Sequence, residues 1–272
     1  MSGKKSLLVD KSKMPLAMGI AFVAFTTQFG GGFASGAQIY QYFINYGIWC
    51  LLMPLITQGL YALFFWYGMR YAYKHKTYDY RSFSDSLYGK TRPIMSNLYE
   101  ICYLIMIGTA SAAAFATGGS TLQTLFGIPY WVCTLIIAAF IFVIALFGTN
   151  VVRKCASTLS VLIIIGLVLV LVPNIIAQWG DISANISASM ANPAPFGKAL
   201  WIGFVYAAFQ LASIGLLVQH AKPFASPDDA KTSMVQGFFV NVLICLMAVV
   251  GLMAIANDPN FATESIPLLI LV

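Results

Sequence analysis

Long apolar stretches, separated by short polar ones, make up most of this chain. Seven of them reach the roughly 20 residues that a membrane helix needs. We predict spans at residues 14–45, 48–73, 96–126, 129–149, 155–179, 196–220 and 235–257. Residues 1–13 form a polar N-terminal segment, and the polar segment 180–195 is predicted to be an outer loop. Residues 74–93 are expected to include a short amphipathic helix on the membrane surface.

The first predicted span is interrupted by glycines near its middle. Gly30, Gly31 and Gly32 follow one another, and each costs about 1 kcal/mol in a helix interior relative to alanine. We therefore expect two helical pieces joined by open backbone. Such backbone is tolerated in a membrane only where it is buried in protein or lines a cavity, as in transporter sites. The alternatives are a simple kink or a close helix–helix contact.

A second interruption is predicted in the sixth span. Gln210 and Ser213 lie among small residues in its middle, although no glycine run accompanies them. They are alternatively two polar residues that hydrogen bond across a helix interface. Two interruptions five spans apart fit an inverted five-helix repeat. The predicted fold class is therefore an all-α polytopic membrane protein with broken spans one and six.

Composition and charge support a membrane protein and no other class. The chain is 60% hydrophobic and 9% charged, whereas soluble chains carry about 25% charged residues. Fourteen of the fifteen basic residues lie before the first span or near the connections after the second, fourth and sixth, which are all on one side of the membrane in a seven-span model. The exception is Lys198. This distribution follows the positive-inside rule and predicts a cytoplasmic N-terminus. The net charge of +6 is thus a topology signal, and we expect the lipid bilayer but no nucleic acid as a partner.

Few residues offer chemistry of their own. The five cysteines have no CxxC or metal-binding spacing, and no His, Asp, Cys or Ser cluster resembles a catalytic site, so we expect neither an enzyme nor a cofactor. Glu100 is the one acidic residue within a predicted span. Its shallow depth favours an interfacial carboxylate paired with a basic residue of the inner loop, while a proton relay is the alternative.

The two interruptions together predict a substrate site. Freed N–H groups near Ser35 suit a carboxylate, and freed carbonyls near Gln28 suit a cation or an ammonium group, so the pair suits a zwitterion. Span three is expected to form a wall. The candidate substrate-binding residues are Gln28, Phe29, Gly30, Gly31, Gly32, Phe33, Ala34, Ser35, Gly36, Gln38, Tyr103, Thr109, Ser111, Tyr206, Phe209, Gln210 and Ser213. For each of them, ordinary packing or interhelical hydrogen bonding is the alternative.

Two motifs carry a resemblance to a known group of proteins. They are the segment Gly30-Gly31-Gly32-Phe33-Ala34-Ser35-Gly36 and the segment Phe204-Val205-Tyr206-Ala207-Ala208-Phe209-Gln210, supported by Glu264-Ser265-Ile266-Pro267-Leu268-Leu269. With them the chain resembles the amino acid–polyamine–organocation superfamily, which has the leucine-transporter-type fold. It is most similar to the bacterial YkvI-type membrane proteins.

The resemblance implies an architecture and a function. Residues 14–179 would be the first five-helix repeat, and residues 196–272 two helices of the second, in a chain expected to be incomplete. The implied function is secondary transport of a small organic solute, an amino acid or a related amine, across the bacterial inner membrane. Coupling to sodium or protons is implied, with Asn241 as a possible ligand of a monovalent cation. The alternative is a nutrient or germinant sensor on the same fold. A retinal-type receptor is not expected, because the seventh predicted span of this chain has no lysine that could form a Schiff base with retinal.

Overall fold

The computed structural model describes residues 14–258, 261 and 267–271, and within them it is helical, with no β-strand. The predicted N-terminal segment 1–13 lies outside the described residues, as do residues 259–260, 262–266 and 272, which include Glu264, Ser265 and Ile266 of the third motif. The α-helices are α1 (Met14–Gln28), α2 (Gly31–Ala34), α3 (Ala37–Tyr42), α4 (Met53–His75), α5 (Tyr80–Tyr88), α6 (Arg92–Phe126), α7 (Tyr130–Leu146), α8 (Thr149–Ala177), α9 (Trp179–Ala191), α10 (Phe196–Leu211), α11 (Ile214–Leu217) and α12 (Asp228–Leu252). Short 3-10 helices occupy Ile44–Leu51, Gly89–Thr91, Val218–Ala221, Met253–Ile255 and Pro267–Leu271.

Fewer helices than predicted are long enough to cross a membrane. Four of the described helical segments are, by length and composition: Tyr80–Phe126, Val151–Ala177, Phe196–Ala221 and Asp228–Ile255. The pair Ile44–Leu51 and Met53–His75, bent by 75°, makes a fifth if it is one span. The count of seven spans is thus reduced to four or five. The reason is that the first predicted span ends as a helix at Gln28 and the fourth, α7, has only 17 residues.

Helix α12 lies at the centre of the bundle, against α1, α4 and α8. Its two ends mark the two ends of the molecule. Near its start, Tyr73 Oη donates to the carbonyl of Ala225 at 3.1 Å. Just beyond its other end, Asn185 Nδ2 donates to the carbonyl of Met253 at 2.7 Å. The segments 74–93 and 180–195 therefore lie at opposite ends of the bundle, as predicted.

The segment 180–195 is not the loop that its polar composition predicted. It forms helix α9 as far as Ala191, with Asp181 in the first turn, where a carboxylate favours the positive end of the helix dipole. Ile182 is fully buried and Ile186, one turn on, packs against the same core. One apolar stripe is enough to fix this helix across the end of the bundle.

The amphipathic helix expected within residues 74–93 is present as α5. Asp79 caps it, accepting a hydrogen bond from the Ser82 N–H at 2.8 Å. Phe83 and Ser84 are its buried residues. Helix α5 therefore lies with one face against the bundle, in contact with α6 and α11.

Large apolar side chains cover the outer surface of α6, α7 and α8. Examples are Leu104, Phe142 and Leu169, each more than half exposed. In each of the segments Tyr80–Phe126 and Val151–Ala177, only 11% of the most apolar 18-residue stretch is buried within the protein. Contiguous apolar surface of this extent is unfavourable in water and suits the hydrocarbon core of a bilayer. The fold is thus compatible with a multi-pass membrane protein.

Candidate functional site

The first predicted span is interrupted twice. Helix α1 ends at Gln28, the short helix α2 follows after Phe29 and Gly30, and α3 begins only after Gly36. The N–H groups of Gly30 and Gly32 have no backbone hydrogen-bond partner within the described part of the chain. The predicted interruption is therefore present, but it separates three helical pieces and not two, because Gly31 and Gly32 form the start of α2.

Gly36 makes the second turn of this interruption possible. Its φ is +89°, in the left-handed region that favours glycine. The hydroxyl of Ser35 donates to the carbonyl of Gly32 at 3.1 Å and accepts from the N–H of Ala37 at 3.3 Å. Ser35 thus acts as a local backbone clamp in the turn. A direct contact with a solute is not needed to explain its position.

The sixth predicted span remains one helical segment, Phe196–Ala221, but its regular α-helical hydrogen bonding is interrupted at Ala212 and Ser213, between α10 and α11. There the Ser213 N–H donates to the carbonyl of Gln210, three residues back, at 3.1 Å. The hydroxyl of Ser213 donates to the carbonyl of Gln210 at 2.6 Å, a bond within one turn. The side chains of Gln210 and Ser213 are 4% and 2% exposed, so neither faces lipid.

The two interruptions meet. Gln210 Nε2 lies 3.5 Å from the carbonyl oxygen of Gln28, the last residue of α1. Helix α10 also packs against α3, on the far side of the same interruption. This separation is well inside a helix diameter of roughly 10–12 Å. The structure therefore places Gln210 at the first interruption, as the sequence predicted, whereas the hydroxyl of Ser213 bonds within its own helix.

A cluster of buried amides surrounds this meeting point. Asn241, near the middle of α12, donates through Nδ2 to Gln28 Oε1 at 2.8 Å and to Gln58 Oε1 at 3.3 Å. We call Gln28, Gln58, Asn241 and Gln210 the amide cluster; all four are at most 4% exposed. Nearby, Tyr61 of α4 donates to the carbonyl of Ala24 at 3.3 Å. The cluster carries no formal charge.

Polar atoms of the amide cluster remain open. Gln28 Nε2, Gln58 Nε2 and Asn241 Oδ1 are buried and have no hydrogen-bond partner among the described residues. Each such atom costs about 1–3 kcal/mol. Buried groups that carry this cost call for an explanation, such as an ordered water, a bound ion or a functional role. The cluster thus has two NH₂ groups free to donate and one oxygen free to accept, which an ordered water or a small polar solute would satisfy.

The candidate aromatic residues pack with one another around the interruptions. Phe29 stacks on Phe25 with centroids 4.5 Å apart and meets Phe33 edge-on at 4.0 Å. Tyr206 is fully buried against Phe43, 5.3 Å away. Phe209, on the same helix as Tyr206, is half-buried. Ordinary core packing accounts for the positions of Phe29, Phe33 and Tyr206.

The span-three candidates are not joined to the amide cluster. Helix α6 does contact α2, but Thr109 is exposed and its hydroxyl bonds to its own helix, at the carbonyl of Ile105. Ser111 is half-buried on the same stretch. Tyr103, six residues before Thr109 on α6, is buried and stacks on Tyr80 with ring centroids 4.8 Å apart. The remaining candidates sit at the edge: Gly30 and Ala34 are exposed and Gln38 is half-buried.

Glu100 is paired as expected. Its carboxylate accepts from Arg81 Nη1 at 2.5 Å and from Tyr80 Oη at 2.9 Å, so it fastens α5 to α6. Asn241, the candidate cation ligand, directs its NH₂ group at the two glutamine oxygens and leaves its own oxygen open. Within the described residues no group of three or more His, Cys, Asp or Glu side chains could hold a metal ion.

Sequence reasoning missed Gln58 and Tyr61. Both lie on α4, and Gln58 follows another buried polar residue, Thr57, inside an otherwise apolar segment. A polar pair in the middle of an apolar span was the available signal. Its partner Asn241 is 183 positions away, so the contact itself could not be inferred from spacing.

No protein-family model, curated protein or solved structure matches this chain. The resemblance to the amino acid–polyamine–organocation superfamily therefore stays a prediction that rests on the motifs themselves.

Proposed function

We propose that this protein is a secondary transporter of a small organic solute, an amino acid or a related amine. The observation that carries the proposal is the meeting of two interrupted helices at a buried, uncharged amide cluster, with Gln210 Nε2 3.5 Å from the Gln28 carbonyl. Interrupted helices that share one polar centre are the usual construction of a transporter binding site.

The polar groups around the interruptions suit a zwitterion. The C-terminal end of α1 presents carbonyl groups and the negative end of its dipole, which favour an ammonium group. The open N–H groups of Gly30 and Gly32 and the open amide nitrogens of Gln28 and Gln58 favour a carboxylate. A solute with a net charge would have no oppositely charged side chain within this set, and burying it would be costly.

The finer points of the proposal depend on the resemblance to the amino acid–polyamine–organocation superfamily and on the charge pattern of the sequence. They are an inverted five-helix repeat, a coupling ion (sodium or proton) held with the help of Asn241, and a cytoplasmic N-terminus in the cell membrane. The superfamily's fold has more spans than the four or five found in the described residues. The alternative with the same site is a sensor that binds the solute without moving it.

Two experiments on the full-length chain test the proposal. The first is a thermal-shift screen of the purified protein against the proteinogenic amino acids and small amines. We expect one chemical class to raise the unfolding temperature. The second is uptake of the radiolabelled hit into proteoliposomes. Binding with uptake supports a transporter, binding without uptake supports the sensor, and no binding by either type of ligand contradicts both.

A further inference from the structure

One hydroxyl bridges the interruption between α10 and α11. Tyr99 Oη, from α6, donates to the carbonyl of Ala212 at 3.2 Å and accepts from the N–H of Gly215 at 3.0 Å. Both of these backbone groups belong to the turn where regular helix bonding fails. Tyr99 therefore replaces the intrahelical bonds that the turn lacks, on both sides of it.

Gly215 is what allows this close approach. A Cβ atom built there would lie 2.8 Å from Tyr99 Oη, 2.8 Å from Tyr103 Cε2 and 2.9 Å from Tyr80 Cβ. Contacts under 3.0 Å are essentially never made by real Cβ atoms. The backbone of α11 thus packs directly against three tyrosines, and no other residue type fits without moving them.

The three tyrosines are braced in turn by α5. Tyr99 and Tyr103 stack with ring centroids 5.9 Å apart, and Tyr103 stacks on Tyr80 at 4.8 Å. Glu100 holds Tyr80 and Arg81 through the two hydrogen bonds already described. The turn of the sixth segment, the tyrosine stack and the surface helix α5 therefore form one connected unit.

This unit lies next to the amide cluster. Ala212, held by Tyr99, adjoins Ser213, whose hydroxyl bonds to the carbonyl of Gln210. Gln210 in turn reaches the end of α1. A change in the Tyr99 bonds moves the turn that carries these residues. The effect would reach the amide cluster through three consecutive contacts.

We propose that Tyr99 is a positioning residue whose hydroxyl latches the interrupted sixth segment to α5 and α6. Held by this latch, the segment keeps the amide cluster closed toward the end of the bundle at which α5 lies. Releasing both hydrogen bonds of Tyr99 frees the turn to change shape. As a step in transport this rests on the proposed function, whereas the latch itself can be measured without any substrate.

Hydrogen exchange followed by mass spectrometry tests the latch in the full-length protein. In Tyr99→Phe the ring stays and only the hydroxyl is lost, so the N–H of Gly215 loses its partner. We expect exchange in the peptide covering residues 211–217 to become about tenfold faster, as the loss of one buried hydrogen bond predicts. The matched control is Tyr103→Phe, which keeps the same stack and should leave that peptide unchanged.

A second variant keeps the test decisive if Tyr99→Phe folds poorly. Gly215→Ala places a methyl carbon 2.8 Å from Tyr99 Oη, closer than the two groups can pack, so it should displace the hydroxyl and speed exchange in the same peptide. Slow exchange in both variants, equal to that of the wild type, overturns the latch. If both variants exchange fast but the wild-type protein takes up no solute, the latch is supported and only the proposed transport function is contradicted.

Discussion

At the scale of single residues, Asn241 supplies the hydrogen bonds that satisfy buried side-chain oxygens at the centre of the bundle. Its NH₂ group supplies both hydrogen bonds that reach the oxygens of Gln28 and Gln58. These bonds connect α12 to α1 and α4, the two helices that pack most closely on it. Removing the donor leaves two buried carbonyl oxygens without a partner, at about 1–3 kcal/mol each.

We therefore expect Asn241→Leu to destabilise the protein more than Gln58→Leu, which leaves one partner unpaired. The double variant should cost less than the sum, with a coupling of about 0.5–3 kcal/mol, because each change removes part of what the other leaves unpaired. Unfolding in denaturant by wild type and variants measures this. Asn241→Leu combined with Ser187→Ala, an exposed position on α9, is the additive control. Strict additivity in the first pair would show that the amide contacts are not energetically coupled.

Asp79 gives a prediction for pH. Hydrogen bonds from the hydroxyl and the N–H of Ser82 hold the pKa of Asp79 below the usual aspartate value. A lowered pKa in the folded state means that the ionised carboxylate stabilises α5. This contribution is full above the unfolded pKa of about 3.9 and is lost as the pH falls through the folded value.

Hydrogen exchange of α5, corrected for its intrinsic pH dependence, checks this. Asp79→Ala should destabilise α5 by about 1 kcal/mol at neutral pH. Asp79→Asn, which caps but does not titrate, should keep α5 protected and remove the acid dependence. An unchanged acid dependence in Asp79→Asn would assign the effect to another group.

At the scale of elements, the interruption of the first span depends on glycines with different roles. Gly36 has a left-handed backbone, and an added Cβ would lie 3.2 Å from Leu252 Cδ1 and 3.3 Å from Pro267 Cβ. Gly30 has neither constraint, since nothing lies within 4 Å of a Cβ built there and its φ is not positive.

We expect Gly36→Ala to destabilise the protein by about 1–2 kcal/mol, the cost of a left-handed residue with a side chain. Gly30→Ala, the matched control six positions earlier, should be nearly neutral. The measurement is the free energy of unfolding of each variant in the same detergent. Equal losses in both variants would mean that the turn at Gly36 is not fixed as described.

The elements themselves were largely readable from the sequence. Hydropathy located every long helix, and the run of three glycines located the first interruption to within a few residues, since only Gly30 lies in the break and Gly31 and Gly32 begin α2. The segment 180–195 was misread because Asn, Ser and Ala do not separate loop from helix, and the i, i+4 pair Ile182 and Ile186 was overlooked. Helix α7 was predicted as a span from hydropathy alone, although the turn at Phe147–Gly148 limits it to 17 residues.

At the scale of the whole molecule, the candidate site was predictable only in part. Gln28, Gln210 and Ser213 lie beside the interruptions, so their meeting followed from the expectation that two broken helices share one polar centre. Gln58 and Tyr99 act through contacts with residues far away in the chain, and the polar pair Thr57 and Gln58 indicates a buried polar contact without identifying its partner. The amide cluster and the tyrosine latch therefore needed the structure.

The central claim is that the two interrupted segments form one site through which a solute crosses the membrane. Its most direct test is uptake of a radiolabelled mixture of the twenty amino acids into proteoliposomes, under an inward sodium gradient and, separately, an inward proton gradient. We predict accumulation by the wild type and a loss of about tenfold or more in Gln210→Leu, which removes a buried hydrogen-bonding group of the site. Phe204→Leu, on the exposed face of the same helix, should retain wild-type uptake. Uptake by Gln210→Leu equal to that of the wild type, or no accumulation of any amino acid by folded wild-type protein, would contradict this account.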